Sequence, residues 1–494
     1  MTSLLLVLLA VTPPVAAPKP PAAPPPVAAR EPDPVRRAVV SLKVTGQEYD
    51  WKAPWGKLAP WTRACTGLVV PGKLILVTSD CVGNATLVEV QKLGEERRYG
   101  ARVKLADHEG ALALVESEEN ELWQGLVPLP LAADAPLDGD VTVHRWLASN
   151  QFETARGNVR QVRSEDHGYG RVPLLTLDVT SNIQGGGTGE VLMARGEVVG
   201  ISSSKADDVL LAIASPVLRQ FLEGARRAPY PGFARHGFAS QKLLNPALRR
   251  ALGMRPEEAG VLVNRVLPQG SAATALEPND VVMAIDGFKI DASGQVDHPR
   301  YGKQFFGLLL TLGHFPGDSV DVKVLRKGER RTVKMKLVTM PPQSDKIPAY
   351  VVDQPPDYLV RGGLVFQNLT YSYLATFGDW RRRAALPLTI ATDLEAVWPT
   401  PGEPRLVILT NVLPDPVNLG YQDERDAIVS AVDGHAVGTL DDVKKALDGP
   451  PPDGRFHIVE FRQGQNSRRM VLDAAEMNAA DARIRERYGM PAEP

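Results

Sequence analysis

From Ala38 to Ala214 the chain is written in short apolar runs separated by turn residues. Ala38–Val44 (AVVSLKV), Thr66–Val70, Leu74–Thr78, Thr86–Val90, Arg102–Leu105 and Leu112–Glu116 come first. Val141–Trp146, Leu174–Val179, Glu197–Ser203 and Val209–Ala214 follow. Each run is too short for a globular helix and rich in Val, Ile and Thr, which predicts strands. About a dozen strands, followed by one short helix at Pro216–Glu223, predict paired antiparallel barrels. Past Tyr230 the pattern becomes mixed α and β.

A repeat organises the second half. Val261–Pro268 (VLVNRVLP) returns as Val407–Pro414 (VILTNVLP), 146 residues on. Val281–Ile290 (VVMAIDGFKI) returns as Ile428–Val437 (IVSAVDGHAV), 147 residues on. Each copy reads as a strand, a loop, and a strand ending in an Asp-Gly turn, where glycine supplies the backbone freedom required. A helix is predicted after each, at Phe305–Leu312 and Leu440–Leu447. Two blocks in matching register predict a duplicated compact α/β module.

The N-terminus differs from both halves. Leu4–Val11 (LLLVLLAV) would span about 12 Å as a helix, against a bilayer core of about 30 Å. It fits the apolar region of a secretory signal, residues 1–17, with Val15-Ala16-Ala17 as the small-residue site. Residues 18–35 continue a Pro/Ala tract that predicts an extended, semi-rigid tether. No other run reaches transmembrane length.

Composition narrows the classes. With a net charge of −2 over 494 residues, the chain has no broad nucleic-acid footprint or polybasic membrane surface. Two cysteines and eight scattered histidines give no metal-ligand spacing, and no cofactor motif is present. The glycine-rich QGGGTGEV (Gln184–Val191) lacks the Lys-Ser/Thr end and following helix of a phosphate loop.

From about residue 37 the chain resembles the Deg/HtrA serine proteases, nearest to the plant-type branch. The likeness is carried by EYDWKAPWGK (Glu48–Lys57), DCVGNATLVEVQKLGEERRYGARV (Asp80–Val103) and VESEENELW (Val115–Trp123). LAIASPVLRQFL (Leu211–Leu222), QKLLNPALRRALGM (Gln241–Met254) and PVNLGYQ (Pro416–Gln422) extend it. The resemblance implies a mainly β chain with α+β modules: a chymotrypsin-like double β-barrel (36–228) followed by two PDZ-like domains. These cover 231–342 and, in atypical form, 343–480, before a tail at 481–494.

The family's catalytic residues do not carry over. Serine proteolysis needs a hydroxyl nucleophile, an imidazole to take its proton and a carboxylate to orient the imidazole. The histidine position falls on Asp80, or on Cys81 if the register moves by one. A carboxylate is a poor proton shuttle at neutral pH. The aspartate position falls on Ala111; a two-residue slip would offer Glu109. The nucleophile falls on Gly187, or on Gly186 counting from the other side, and the nearest hydroxyl is Thr188. The loop reads as a degenerate oxyanion loop.

Three further expectations follow from the resemblance. Chymotrypsin-like proteases often bridge the sites held by Cys65 and Cys81; the alternative is two free buried cysteines. The peptide-binding loops would be Gly237-Phe238-Ala239-Ser240, faced by Phe305 and Leu309 on a helix at Gln304–Leu312, and Gly363-Leu364-Val365-Phe366. The family often trimerises through aromatics near the barrel N-terminus, and Tyr49, Trp51 and Trp55 could serve in such a homotrimer, or cap the barrel.

Three functions remain open at this point. One is an exported, periplasmic or secreted, catalytically silent homologue that binds unfolded or C-terminal peptide segments as a scaffold in protein quality control. A second is an active endopeptidase using Thr188 with a histidine such as His108 or His144. The third is a PDZ adaptor with the barrel as a spacer.

Overall fold

The computed structural model describes residues 33–147, 149, 151–340, 345–384, 405–462 and 469–491. The expected signal segment, 1–17, and the tether as far as residue 32 lie outside the described residues. No helix among those described is long and apolar enough to cross a membrane.

The first six strands close into a barrel in the order β1-β2-β3-β6-β5-β4. They are β1 Val39–Gly46, β2 Trp61–Val70, β3 Leu74–Thr78, β4 Ala85–Gln91, β5 Arg98–Asp107 and β6 Leu112–Glu116. A second barrel runs β10-β11-β12-β9-β8-β7. Its strands are β7 Gly139–Trp146, β8 Phe152–Glu165, β9 Leu174–Ser181, β10 Val191–Ala194, β11 Glu197–Ala206 and β12 Val209–Ala214. This is the expected chymotrypsin-like pair. The sequence reading omitted β8 and β10. Most outward positions of β8 are charged or polar, and only Ala155, Gly157 and Val159 alternate inward as fully buried residues.

Cys65 on β2 and Cys81 are joined in a disulfide, with Cα atoms 6.2 Å apart. The helix Ser215–Gly224 leaves the second barrel with Val217, Leu218 and Phe221 buried.

The first module is a sheet β13-β14-β15-β19-β20, with β16 paired to β15 and a separate hairpin β17-β18. The strands are β13 Phe238–Lys242, β14 Val261–Val266, β15 Val281–Ile285, β16 Phe288–Lys289, β17 Gln295–His298, β18 Gly302–Phe305, β19 Ser319–Arg326 and β20 Glu329–Lys336. The second module orders β21-β22-β23-β24-β26-β27, with β25 on β24. These are β21 Tyr358–Arg361, β22 Leu364–Asn368, β23 Val407–Val412, β24 Ala427–Val432, β25 His435–Ala436, β26 Phe456–Phe461 and β27 Arg469–Asp473.

The repeat occupies equivalent places. Asp286-Gly287 and Asp433-Gly434 each turn a two-residue hairpin with both φ positive, +50° and +82° in one, +52° and +75° in the other. That is the type I′ geometry an Asp-Gly pair favours.

Two expectations need correction. The helix predicted over Phe305–Leu312 is a single turn, Leu308–Thr311, because Gly302–Phe305 pairs with β17 instead. The second barrel holds this segment: Gln304 Nε2 donates to Val162 O at 3.1 Å, and Thr311 Oγ1 to Pro173 O at 2.6 Å. The boundary expected at residue 480 falls inside a helix, Ala474–Arg487, whose Ala480 and Ile484 are fully buried in the second module.

The insert around Glu48–Lys57 docks on the second module. Trp55 sits against Tyr358 and Tyr488, with centroids 6.2 and 6.5 Å away. Gln367 Nε2 donates to Trp51 O at 3.0 Å.

Candidate functional site

The cleft of a double barrel takes one residue from the turn after β3, one from the bend before β6 and one from the loop before β10. The turn after β3 is the short helix Ser79–Val82. Cys81 is consumed by its bridge to Cys65, which leaves the half-buried Asp80 as the residue at the position where the resemblance implied a histidine. Arg63 Nη1 donates to Asp80 O at 2.6 Å. The ring of Tyr169, on the turn between β8 and β9, feels the charges of Glu48 and Asp80, although burial dominates the rise in its pKa.

Ala111 lies in the bend before β6. It is 5% exposed and sits at φ +54°, a conformation a non-glycine residue rarely adopts. Its carbonyl accepts from Ser79 N at 3.0 Å, and its methyl offers no acceptor to anything on the Asp80 turn. Glu109 does not replace it. Its carboxylate accepts from Arg171 N at 3.1 Å and from Tyr350 Oη at 3.2 Å, which commits it to the junction with the C-terminal modules. Burial there raises its pKa.

The loop before β10 is closed by its own side chains. Gly187 N donates to Glu190 Oε1 at 2.8 Å. The resemblance implies that N–H groups of this loop would face an oxyanion; here a buried carboxylate takes the Gly187 N–H. Glu190 is 2% exposed. It accepts from Ser202 Oγ and lies 3.5 Å from Arg145 Nη1. Arg145 in turn donates to Gln184 O at 2.6 Å and to Glu153 Oε2 at 2.8 Å.

Lys205 on β11 closes the other side by donating to Ile183 O. A Cβ at residue 187 would lie 2.4 Å from Lys205 Cβ and 2.7 Å from Lys205 N. Gly187 also stands at φ +117°. Any side chain there, serine included, meets backbone.

The imidazoles proposed for Thr188 have other partners. His108 Nε2 is 3.0 Å from Asp353 Oδ2. His144 places Nδ1 3.1 Å from Thr154 Oγ1 and Nε2 2.8 Å from Thr142 Oγ1. Thr188 is exposed. His167, which the sequence reading passed over, is buried between Ser203 Oγ and Thr176 Oγ1, at 2.5 and 2.6 Å. Burial, with the Arg163 charge, pushes its pKa down to about 4, so it stands there neutral.

The two PDZ edges differ. In the first module β13 ends the sheet, paired with β14 alone. Gly237, at φ +73°, packs so closely that a Cβ would lie 2.5 Å from Gly270 Cα. Phe238 is fully buried and stacks on Phe306 at 5.4 Å, with His236 5.1 Å away. Phe305 joins this cluster from the end of β18, 5.8 Å from His236, and not from a helix shared with Leu309. Ala239 is half-buried and Ser240 exposed on the edge.

In the second module the equivalent strand is already covered. β21 pairs with β22 in antiparallel register, Tyr358 opposite Gln367 and Arg361 opposite Leu364. Arg361 Nη2 reaches Asp448 at 2.8 Å, at the end of the helix Leu440–Asp448. Leu364, Val365 and Phe366 are fully buried. Asn418 Nδ2 seals the turn by donating to Gly362 O and Leu413 O, each at 2.8 Å. The signal for this strand was present: YLVR and LVFQN flank Gly362-Gly363, two apolar runs on a two-glycine turn. Among the described residues no cluster of three or more His, Cys, Asp or Glu side chains is gathered as for a metal ion.

Two closed barrels followed by two such modules define a chymotrypsin-like double barrel with C-terminal PDZ-like modules. The family profile described as PDZ domain matches residues 251–337, and another so described matches 347–494. The chain is 27% identical over 465 residues to Protease Do-like 2, chloroplastic, of Arabidopsis thaliana, covering 92% of this chain and 74% of that one. It is 26% identical over 400 residues to Putative protease Do-like 3, mitochondrial, of the same plant, covering 80% and 69%. A Probable periplasmic serine endoprotease DegP-like from Marinomonas sp. (strain MWYL1) matches at 26% over 311 residues, 58% of this chain and 61% of that one. The chain is thus similar to the Deg/HtrA family along most of its length and carries two PDZ domains.

Proposed function

We propose that this chain is a non-proteolytic member of the family that binds polypeptide segments as a scaffold in protein quality control. The observation that carries the reading is the loop before β10. Glu190 occupies the Gly187 N–H, and Lys205 fills the space a nucleophile would need. Asp80 and Ala111 in place of the proton shuttle and its orienting carboxylate support it from two further elements. Loss of nucleophile and base together removes about 10⁶ in turnover in a protease of this mechanism. Purified protein is therefore expected to leave casein intact and to resist fluorophosphonate labelling. Turnover that Thr188→Ala abolishes would favour the atypical endopeptidase instead.

Peptide binding is assigned to the first PDZ domain. Its edge strand β13 is open, and Gly237 lets the turn before it bring N–H groups toward one carboxylate. The second PDZ domain, whose strand is covered by β21, serves to hold the molecule together. A peptide ending in an apolar residue should bind the full chain, and amidating its terminus should weaken binding in a polarisation titration; equal affinity would remove the carboxylate loop from the site.

Export is part of the proposal. The Leu4–Val11 block, the Cys65–Cys81 bridge and relatives described as periplasmic, chloroplastic and mitochondrial support it. The aromatics offered for a homotrimer are engaged within the chain, which supports assembly by some other surface, or none.

A further inference from the structure

We propose that the cleft between the first barrel and the second PDZ domain binds a proline-rich polypeptide segment in the polyproline II conformation, carrying a lysine or arginine. This site is separate from the β13 edge and stands whether or not that edge binds peptide. The cleft encloses about 780 Å³ and is walled by the insert around Glu48–Lys52, the turn Gly168–Arg171, the linker Ala349–Val352 and the helix Tyr371–Ala375. Five aromatic side chains line it: Tyr49, Trp51, Tyr169, Tyr350 and Tyr371.

The rings are held before any ligand arrives. Tyr169 is 53% exposed and leans on Tyr350, with centroids 5.3 Å apart and the ring planes tilted by 36°. Tyr350 is itself anchored by its hydroxyl on Glu109. Tyr371 rests against Trp380 at 5.7 Å. A ligand therefore meets flat aromatic faces that lose little further freedom on binding.

The walls decide what kind of chain can lie here. They are an insert, a turn, a linker and a short helix, so the cleft offers no open strand edge for main-chain pairing. An extended β-type peptide would leave its amides without partners. A polyproline II segment has no such need. It makes no internal hydrogen bonds, lacks N–H groups at each proline and lays flat pyrrolidine rings on aromatic faces.

Charge selects the flanking residue. The cations of the lining are committed elsewhere: Arg171 to Asp345 at 2.9 Å, and Lys52 over the Phe377 ring at 5.2 Å. Glu48 is exposed at the rim and makes no ion pair among the described residues. A cationic side chain in the ligand complements it.

The test is a polarisation titration of full-length protein with a labelled proline–alanine peptide bearing one central lysine. Tyr169→Ala should weaken binding roughly three- to tenfold, the range for a lost ring contact, while Tyr169→Phe retains it. Glu48→Lys should weaken the lysine peptide but not its lysine-free version. Amidating the peptide terminus should change nothing, which separates this cleft from the PDZ edge. Unchanged affinity in both Tyr169→Ala and Glu48→Lys, or equal binding of a glycine–serine peptide of the same length, would overturn the proposal.

Discussion

Two buried residues, Glu190 and His167, show most plainly how the barrel's polar groups have been turned inward. Glu190 ties the loop before β10 to Arg145 and Ser202. His167 is a core histidine held between two hydroxyls. Its pKa lies near 4, against about 6.5 in an unfolded chain. The unfolded state thus binds the proton more readily, so His167 contributes stability that is full above pH 6.5 and is lost as pH falls toward 4. Full loss amounts to about 3 kcal/mol. His236, lowered to about 4 chiefly by burial, acts in the same sense. Urea unfolding followed from pH 7 to 4 should therefore show a fall that His167→Gln reduces. An identical slope in the variant would mean the imidazole is not held neutral.

At the scale of elements, much of the architecture was legible. The alternation in β1 and the Asp-Gly turns placed strand and repeat correctly because burial on one face leaves that signature; β19, which alternates as clearly, was not picked out. β8 was missed because its polar positions face outward along most of its length. Phe305–Leu312 read as a helix because its apolar spacing suits one, but Phe305 ends the β17–β18 hairpin and only Leu308–Thr311 turns, held against the second barrel through Thr311. Asp80, Ala111 and Gly187 were expected at the triad positions from the resemblance alone; the contacts of Glu190 and Lys205 were not legible, since they arise only when β11 folds back over the loop. The covering of β22 by β21 has a direct readout in hydrogen exchange. Amides of Leu364–Asn368 should exchange only near global unfolding, whereas outward-facing amides of Phe238–Lys242 should exchange many times faster. Equal protection of both strands would mean the first edge is covered too.

In the whole molecule, the insert near the start of the chain and the linker between the modules bind the second PDZ domain to the first barrel. Trp55 on Tyr358 and Tyr488, and His108 on Asp353, are contacts of this kind. Trp55→Ala should leave the oligomeric state unchanged in light scattering and speed proteolytic nicking of the 345–357 linker several-fold. A change of assembly with no change in nicking would return the insert to an intersubunit role.

The central claim is that the catalytic loop is closed against chemistry and not merely short of a triad. Asp80→His, Ala111→Asp and Gly187→Ser together restore every triad residue type, so fluorophosphonate labelling of this triple variant beside the parent chain is the most direct test. The account predicts no labelling of either, because Lys205 and Glu190 still fill the site around residue 187. Stoichiometric labelling of the triple variant, or any labelling of the parent that Thr188→Ala removes, would contradict it.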